Sequence, residues 1–217
     1  MLGEAEVREL LAPFGLALSD AQTDQVIAYL GLLLRWNEKI NLTSIRDPAD
    51  GVRRHFGESL YLGRAAELSG RLLDIGSGAG FPGLCLKILC PGLSVTLLEP
   101  VAKKRGFLKE VARVCGMSGG EVRRERLEEF AGLPGSAGAF DSATARAVGN
   151  FEELIPQASH CLEPRGRLFL WVSQRQTSVI GYQRGEMKWA KSLRVPGGGR
   201  GEIWCGEKEA AARTRFT

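Results

Sequence analysis

The stretch Arg71-Leu-Leu-Asp-Ile-Gly-Ser-Gly-Ala-Gly-Phe-Pro-Gly83 limits what this chain can fold into more than any other. An apolar run ends in a loop of small residues, and an amphipathic segment, Phe81 to Leu89, starts at once. That order reads as strand, tight glycine turn and helix, the first unit of a doubly wound α/β domain. Gly76, Gly78 and Gly80 take side chains out of the place where a ligand would lie against backbone. A second apolar run, Ser94-Val-Thr-Leu-Leu-Glu99, ends in a carboxylate. An acid at that strand end accepts the hydroxyl protons of a ribose in nucleotide-binding sheets.

The loop spacing is G-x-G-x-G, not the G-x-G-x-x-G that seats a pyrophosphate on a helix N-terminus. Asp74 stands just before it, where it would repel a pyrophosphate but suit a ligand bearing an ammonium and a sulfonium. The loop, Asp74 and Glu99 together point to S-adenosylmethionine as cofactor, bound against Gly76, Gly78 and Gly80, with Phe81 either lining the adenosine pocket or stapling the helix start.

At 217 residues the chain suits one full domain with an appendage. We expect a helical region over residues 1–67 and the cofactor-binding domain over 68–217. In the first, Ser19 and Gln22 form a capping-box pattern, followed by Val26, Leu30, Leu33 and Leu34 at helical spacing. Asp47-Pro48 opens a second helix through Arg53, His55 and Leu60 toward Glu67. Beyond it, strand-like and helical stretches alternate, as a parallel sheet requires. Val101 to Cys115 reads as a helix with Phe107, Leu108, Val111 and Val114 on its apolar side, and Glu121 to Arg126 as a short strand. Phe140 to Val148 reads as a strand and its exit loop, and Asn150 as the cap of a helix that Pro156 bends or shortens. Gly166 to Val172 is strand-like, and an antiparallel hairpin closes the sheet, from Ser192–Val195 to Gly201–Cys205 around the Pro196–Gly199 loop. The fold expected is therefore α/β, a Rossmann-like class I methyltransferase sheet, mostly parallel with an antiparallel C-terminal strand.

Several function classes drop out on composition. Two distant histidines, His55 and His160, argue against a zinc site or a Ser-His-Asp triad, so no metal is expected. The five cysteines hold no C-x-x-C pair and lie mostly in apolar stretches, as buried thiols in a reducing cytosol do. No apolar run approaches the ~20 residues that span a bilayer, and no secretory signal pattern opens the chain. A net charge of +4 permits an RNA partner. Three basic clusters carry that idea: Arg53-Arg54-His55, Lys103-Lys104-Arg105, and Arg123-Arg124 with Arg126.

Taken in order, further motifs resemble one family. They are Trp36-Asn37 with Asn41-Leu-Thr43, Arg54-His55 with Ser59-Leu60, the glycine loop extended by Phe-Pro-Gly83, Lys103-Lys-Arg with Phe107-Leu108, Glu128-Glu-Phe130, and Phe140-Asp141 followed by Ala145-Arg-Ala147. The chain resembles the bacterial small-subunit ribosomal RNA methyltransferase G family, also called glucose-inhibited division protein B, whose members methylate N7 of a guanine in 16S rRNA. The resemblance implies donor contacts at Gly76, Phe81, Leu127, Glu128 and Arg146. It implies 16S rRNA or the small ribosomal subunit as partner, and the basic clusters offer Arg53, Arg54, Lys103, Lys104 and Arg123 for its phosphates. A cytoplasmic monomer without membrane contact is expected. Where the family carries Lys-Gly after the strand ending at Val172, this chain has Ser173-Gln174, leaving Arg175 as the nearby cation. Guanine N7 has an in-plane lone pair and no proton to lose, so the absence of an acid–base dyad suits this reaction. Arg146, just past a strand end, is the expected catalytic and substrate-contacting residue, and Arg146→Ala should lower turnover far more than folding. A small-molecule or protein methyltransferase on the same scaffold, and an RNA-binding assembly protein without catalysis, are the rival readings.

Overall fold

The computed structural model describes residues 2–147, 149–173, 186–190, 192–196 and 201–210. Helices come first: α1 (Glu4–Leu11), α2 (Asp20–Asn37), and a long segment made of α3 (Pro48–Gly51), a π-helical turn (Val52–Gly57) and α4 (Glu58–Ala65). The local signals act as expected at both main starts. The Ser19 hydroxyl accepts from the Gln22 amide, and the Gln22 side chain accepts from the Ser19 amide. Asp47 accepts from the Asp50 amide, with Pro48 at the first helical position. The π-helical turn was not legible in the sequence; its wider winding is common where a helix serves a site.

The sheet then follows as β1 (Arg71–Ile75), α5 (Gly83–Leu89), β2 (Ser94–Leu98), α6 (Ala102–Val114), β3 (Gly120–Arg123), α7 (Leu127–Ala131), β4 (Phe140–Ala145), α8 (Phe151–Cys161), β5 (Leu162–Ser173), β6 (Met187–Trp189), β7 (Leu193–Arg194) and β8 (Gly201–Lys208). Its order is β3-β2-β1-β4-β5-β8-β6, with β7 on β8. Strands β1 to β5 are parallel, and β8 returns antiparallel to β5, β6 and β7. The expected C-terminal hairpin is present as β7 against β8. Gln174, Arg175 and residues 197–200, which include Gly199, lie outside the described residues.

Period-two alternation sorts the sheet's side chains between two cores. Leu72, Val95, Leu97, Phe169 and Trp171 face α1, α2, α4, α5 and α6. Leu73, Ile75, Ala143, Leu168, Leu170 and Val172 face α7 and α8. The N-terminal helices are thus packed into the same apolar cluster as β1, β2, α5 and α6. The strand order reverses between β1 and β4, so the crevice at their carboxyl ends is where such sheets bind ligands.

Four local expectations need correction. Val114 is 41% exposed and is not part of α6's buried face. The strand expected over Glu121–Arg126 is Gly120–Arg123, because Arg126 already serves as the N-cap position of α7. Asn150 occupies the N-cap position of α8 at φ +53° but makes no side-chain cap. Pro156 lies inside α8, which continues to Cys161. All five cysteines are free thiols, three buried and two half-buried. Among the described residues no helix is long and apolar enough to cross a membrane.

Candidate active site

A cleft of about 310 Å³ opens at the carboxyl ends of the strands. Its floor is Ile75 and Gly76 at the end of β1, with Leu98 and Pro100 at the end of β2. One wall is Glu125 to Glu128, entering α7; the other is Gly149 and Asn150 with Glu153, Leu154 and Gln157 of α8. Gly76, Leu127 and Glu128 were expected from the sequence, and the structure brings them together here. The α8 wall was missed: Glu153 and Gln157 are one helical turn apart on a helix read only for its cap and its proline.

Beside the cleft, the loop from Gly76 to Pro82 is tied down from several directions. Ser77 donates its amide to the Leu98 carbonyl (2.9 Å). Glu99 accepts from the Gly78 amide (2.9 Å) through one oxygen and from the Val101 amide (2.8 Å) through the other. Its carboxylate therefore links the two loops that follow β1 and β2. Each glycine does a different job. At Gly78, φ is +57° and the nearest atom to an added Cβ would be the Gly76 carbonyl at 3.8 Å, so the space over it is open. At Gly80, φ is +87° and a Cβ would overlap Tyr29, Leu84 and Leu108; this glycine is required by protein packing, not by a ligand's approach.

Asp74 also departs from expectation. It is fully buried, accepting from the Thr144 hydroxyl (2.8 Å) and the Gly83 amide (3.3 Å), so it joins β1 to β4 and to the start of α5. It does not line the cleft. Burial lifts its carboxyl to about 6 against the opposing pull of Thr144, Ser77, Gly83 and Arg146. The negative charge assigned to Asp74 is supplied instead by Glu128 and Glu153; Glu125 also lines the cleft but is paired with Arg123, and Arg126 lines it too. Phe81 is likewise buried, its ring stacked between Tyr29 (5.2 Å) and His55 (4.6 Å).

Arg146, expected to reach substrate, is spent on the protein. Its guanidinium donates to Glu58 (2.7 Å), the Arg54 carbonyl (2.6 Å) and the Ser59 hydroxyl (3.3 Å), with both side chains of the ion pair only 16% exposed. It also lies 6.0 Å from the centre of the Trp171 ring. It thus ties the exit of β4 to the π-helical turn and α4. Arg123 is committed too, held by Glu125 (3.1 and 3.2 Å), near Glu121 (3.7 Å), and over the Phe130 ring. Arg105 donates to the Glu99 and Pro100 carbonyls. Arg53, Arg54 and Lys103 are exposed. With Lys104 they belong to segments that meet the same carboxyl edge of the sheet as the cleft.

His55 faces Arg146 and Arg54, and its Nε2 lies 2.7 Å from the Thr43 hydroxyl. Burial, then the two arginines, lower its imidazole to about 3. The group is neutral when folded and charged when unfolded below about pH 6.5, so its contribution is present above that pH and lost as pH falls toward 3. At about 1.4 kcal/mol per pH unit, acidification from pH 7 to 5 should cost about 2 kcal/mol through this residue. Asp74 opposes it, because a raised carboxyl takes up its proton in the fold first. Urea unfolding at the two pH values isolates the histidine: His55→Gln should lose about 2 kcal/mol less than the parent.

A family model described as rRNA small subunit methyltransferase G matches residues 22–198. The chain belongs to that family. Its curated relatives include the ribosomal RNA small subunit methyltransferase G of Xylella fastidiosa (strain M23), 43% identical over 156 residues, which cover 70% of each chain. The protein of the same name from Sorangium cellulosum is 42% identical over 200 residues, covering 88% of this chain and 82% of the relative. Family membership makes the protein an enzyme of an S-adenosylmethionine-dependent methyltransferase class. The fold is shared more widely. The crystal structure of ribosomal protein L11 methylase from Lactobacillus delbrueckii subsp. bulgaricus superposes with a TM-score of 0.59 at 16% identity, over 72% of this chain and 79% of that one.

Proposed function

We propose that this methyltransferase transfers the methyl group of S-adenosylmethionine to N7 of a guanine in 16S ribosomal RNA, offered as the RNA or within the small ribosomal subunit. The observation that carries the reading is the acid-walled cleft at the switch point of the sheet, in a chain of the methyltransferase G family. Its volume is within the ~300–1,000 Å³ of small-ligand sites. The carboxylates of Glu128 and Glu153 and open space over Gly78 suit a ligand with an ammonium, a sulfonium and a backbone-hugging chain better than a pyrophosphate.

In this reading Gly76, Gly78, Leu127 and Glu128 hold the donor. Glu99 is 4% exposed and outside the cleft lining, and each of its oxygens keeps a second lone pair for a ribose hydroxyl at the cleft's edge. Asp74, Gly80 and Phe81 support the loop from within, and Arg146 fixes the π-helical turn beside the acceptor side rather than touching the reacting atoms. The bound donor supplies an electrophilic methyl group. Residues of the chain have no proton to remove from N7, and their work is to align donor and acceptor and exclude water, which can account for most of the acceleration. Neither His55 nor Asp74, both turned to internal partners, is needed as a base. Arg53, Arg54, Lys103 and Lys104 supply phosphate contacts around the cleft. Residues 1–67 form the helical region that carries two of these, and 68–217 the donor-binding domain of a cytoplasmic monomer.

Nuclease digestion and mass spectrometry of 16S rRNA test this. RNA from a strain lacking the gene should miss one 7-methylguanosine, and the protein with S-adenosylmethionine should restore it. An unchanged 7-methylguanosine content would sink the proposal and favour a small-molecule or protein acceptor, or a non-catalytic assembly role.

A further inference from the structure

Helix α2 reaches the glycine loop from the side away from solvent, with Tyr29 bonded to it. Tyr29 is fully buried, and its hydroxyl donates to the carbonyl of Ala79, in the middle of the loop. Its ring lies parallel to Phe81 (interplanar angle 1°) and edge-on to Phe56 (5.0 Å). The next residue after Ala79 is Gly80, where a Cβ would collide with that same hydroxyl. Burial pushes the phenol's ionisation well above its ordinary range, so the hydroxyl stays a donor. Ring and hydroxyl therefore fix the loop's carbonyl and its aromatic corner together, while Glu99 fixes the Gly78 amide from the opposite side.

We propose that Tyr29 is a positioning residue for the methyl donor: the N-terminal helix sets the shape of the donor loop, and donor affinity depends on it. This rests on the reading of the cleft as the donor site. A purely structural tyrosine would influence melting alone. A positioning tyrosine governs donor binding with turnover at saturating donor largely kept, since it touches neither the donor nor the acceptor. Removing only the hydroxyl leaves the buried Ala79 carbonyl without that donor, and the loop relaxes to satisfy it.

Calorimetric titration of the full chain with S-adenosylmethionine distinguishes these roles. Tyr29→Phe should weaken donor binding about tenfold and raise the donor KM likewise, with kcat and the RNA KM within about twofold of the parent. Val26→Ala is the control: it removes core volume from the same helix, three residues away, and its side chain has no hydrogen-bonding atom to offer the loop. It should lower the melting temperature and leave donor affinity within about twofold. Unaltered affinity in Tyr29→Phe, or equal weakening in Val26→Ala, overturns the assignment. Failure of the parent itself to bind overturns the donor-site reading and this inference with it. Should Tyr29→Phe not fold, hydrogen exchange on the parent decides. Donor should slow exchange across α2 more than across α1; equal slowing counts against the proposal.

Discussion

Arg146→Ala is expected to lower the stability of the protein by about 3–5 kcal/mol, the usual cost of leaving one member of a buried ion pair alone. Glu58, whose side chain is 16% exposed within the ion pair, would lose its cation. The Arg54 carbonyl and Ser59 hydroxyl would lose a donor as well. Burial already raises the Glu58 carboxyl, with Arg146 and then Arg54 pulling it down, so the orphaned acid would take up a proton more readily. Urea unfolding of Arg146→Ala, Glu58→Gln and the Glu58→Leu/Arg146→Met double variant reads this directly. The double variant should recover most of the loss, because an apolar pair of similar volume often replaces a buried ion pair at little cost. A folded, fully stable Arg146→Ala with no turnover would restore the direct catalytic role that the sequence suggested.

The second large effect concerns Gly78. Gly78→Val should abolish donor binding, lowering affinity by at least about a hundredfold, with a cost to the fold of only about 1–2 kcal/mol for a non-glycine residue at positive φ. The branched side chain would enter the open space over the loop, with no protein atom closer to its Cβ than 3.8 Å. Gly80→Val makes the contrast. Its Cβ would run into Tyr29, Leu84 and Leu108, so the loss there should appear in the melting curve before any titration is made. Paired calorimetry and thermal denaturation separate the two; donor binding by Gly78→Val at the parent's affinity would place the donor elsewhere.

These expectations differ from what the sequence alone suggested for a specific reason. The glycine loop, its flanking strands and Glu99 are encoded locally, within a few residues of one another, and they carried the fold class and the place of the cleft. Charged residues at strand ends are different. Asp74 and Arg146 each looked ligand-facing because an acid or a base beside a crevice usually is. Their partners, Thr144 and Glu58, lie 70 and 88 residues away in the chain. No local pattern announces such pairings, and they decide whether a charge is available to a ligand. Arg123 failed for a simpler cause, since Glu121 and Glu125 flank it in the same strand and its exit. That alternation was visible in the sequence and marks a cation already neutralised.

The π-helical turn from Val52 to Gly57 has a consequence for length changes in this segment. Each residue of a regular helix advances about 100° around the axis. Deleting any one residue of that wide turn would make the winding more ordinary and, viewed locally, easier to form. Everything downstream would then keep nearly its present facing, because the wide turn takes one extra residue for about the same rotation, so Glu58 and Ser59 would still meet Arg146. The wide turn thus holds a spare residue, whose loss leaves two distant parts of the chain in register.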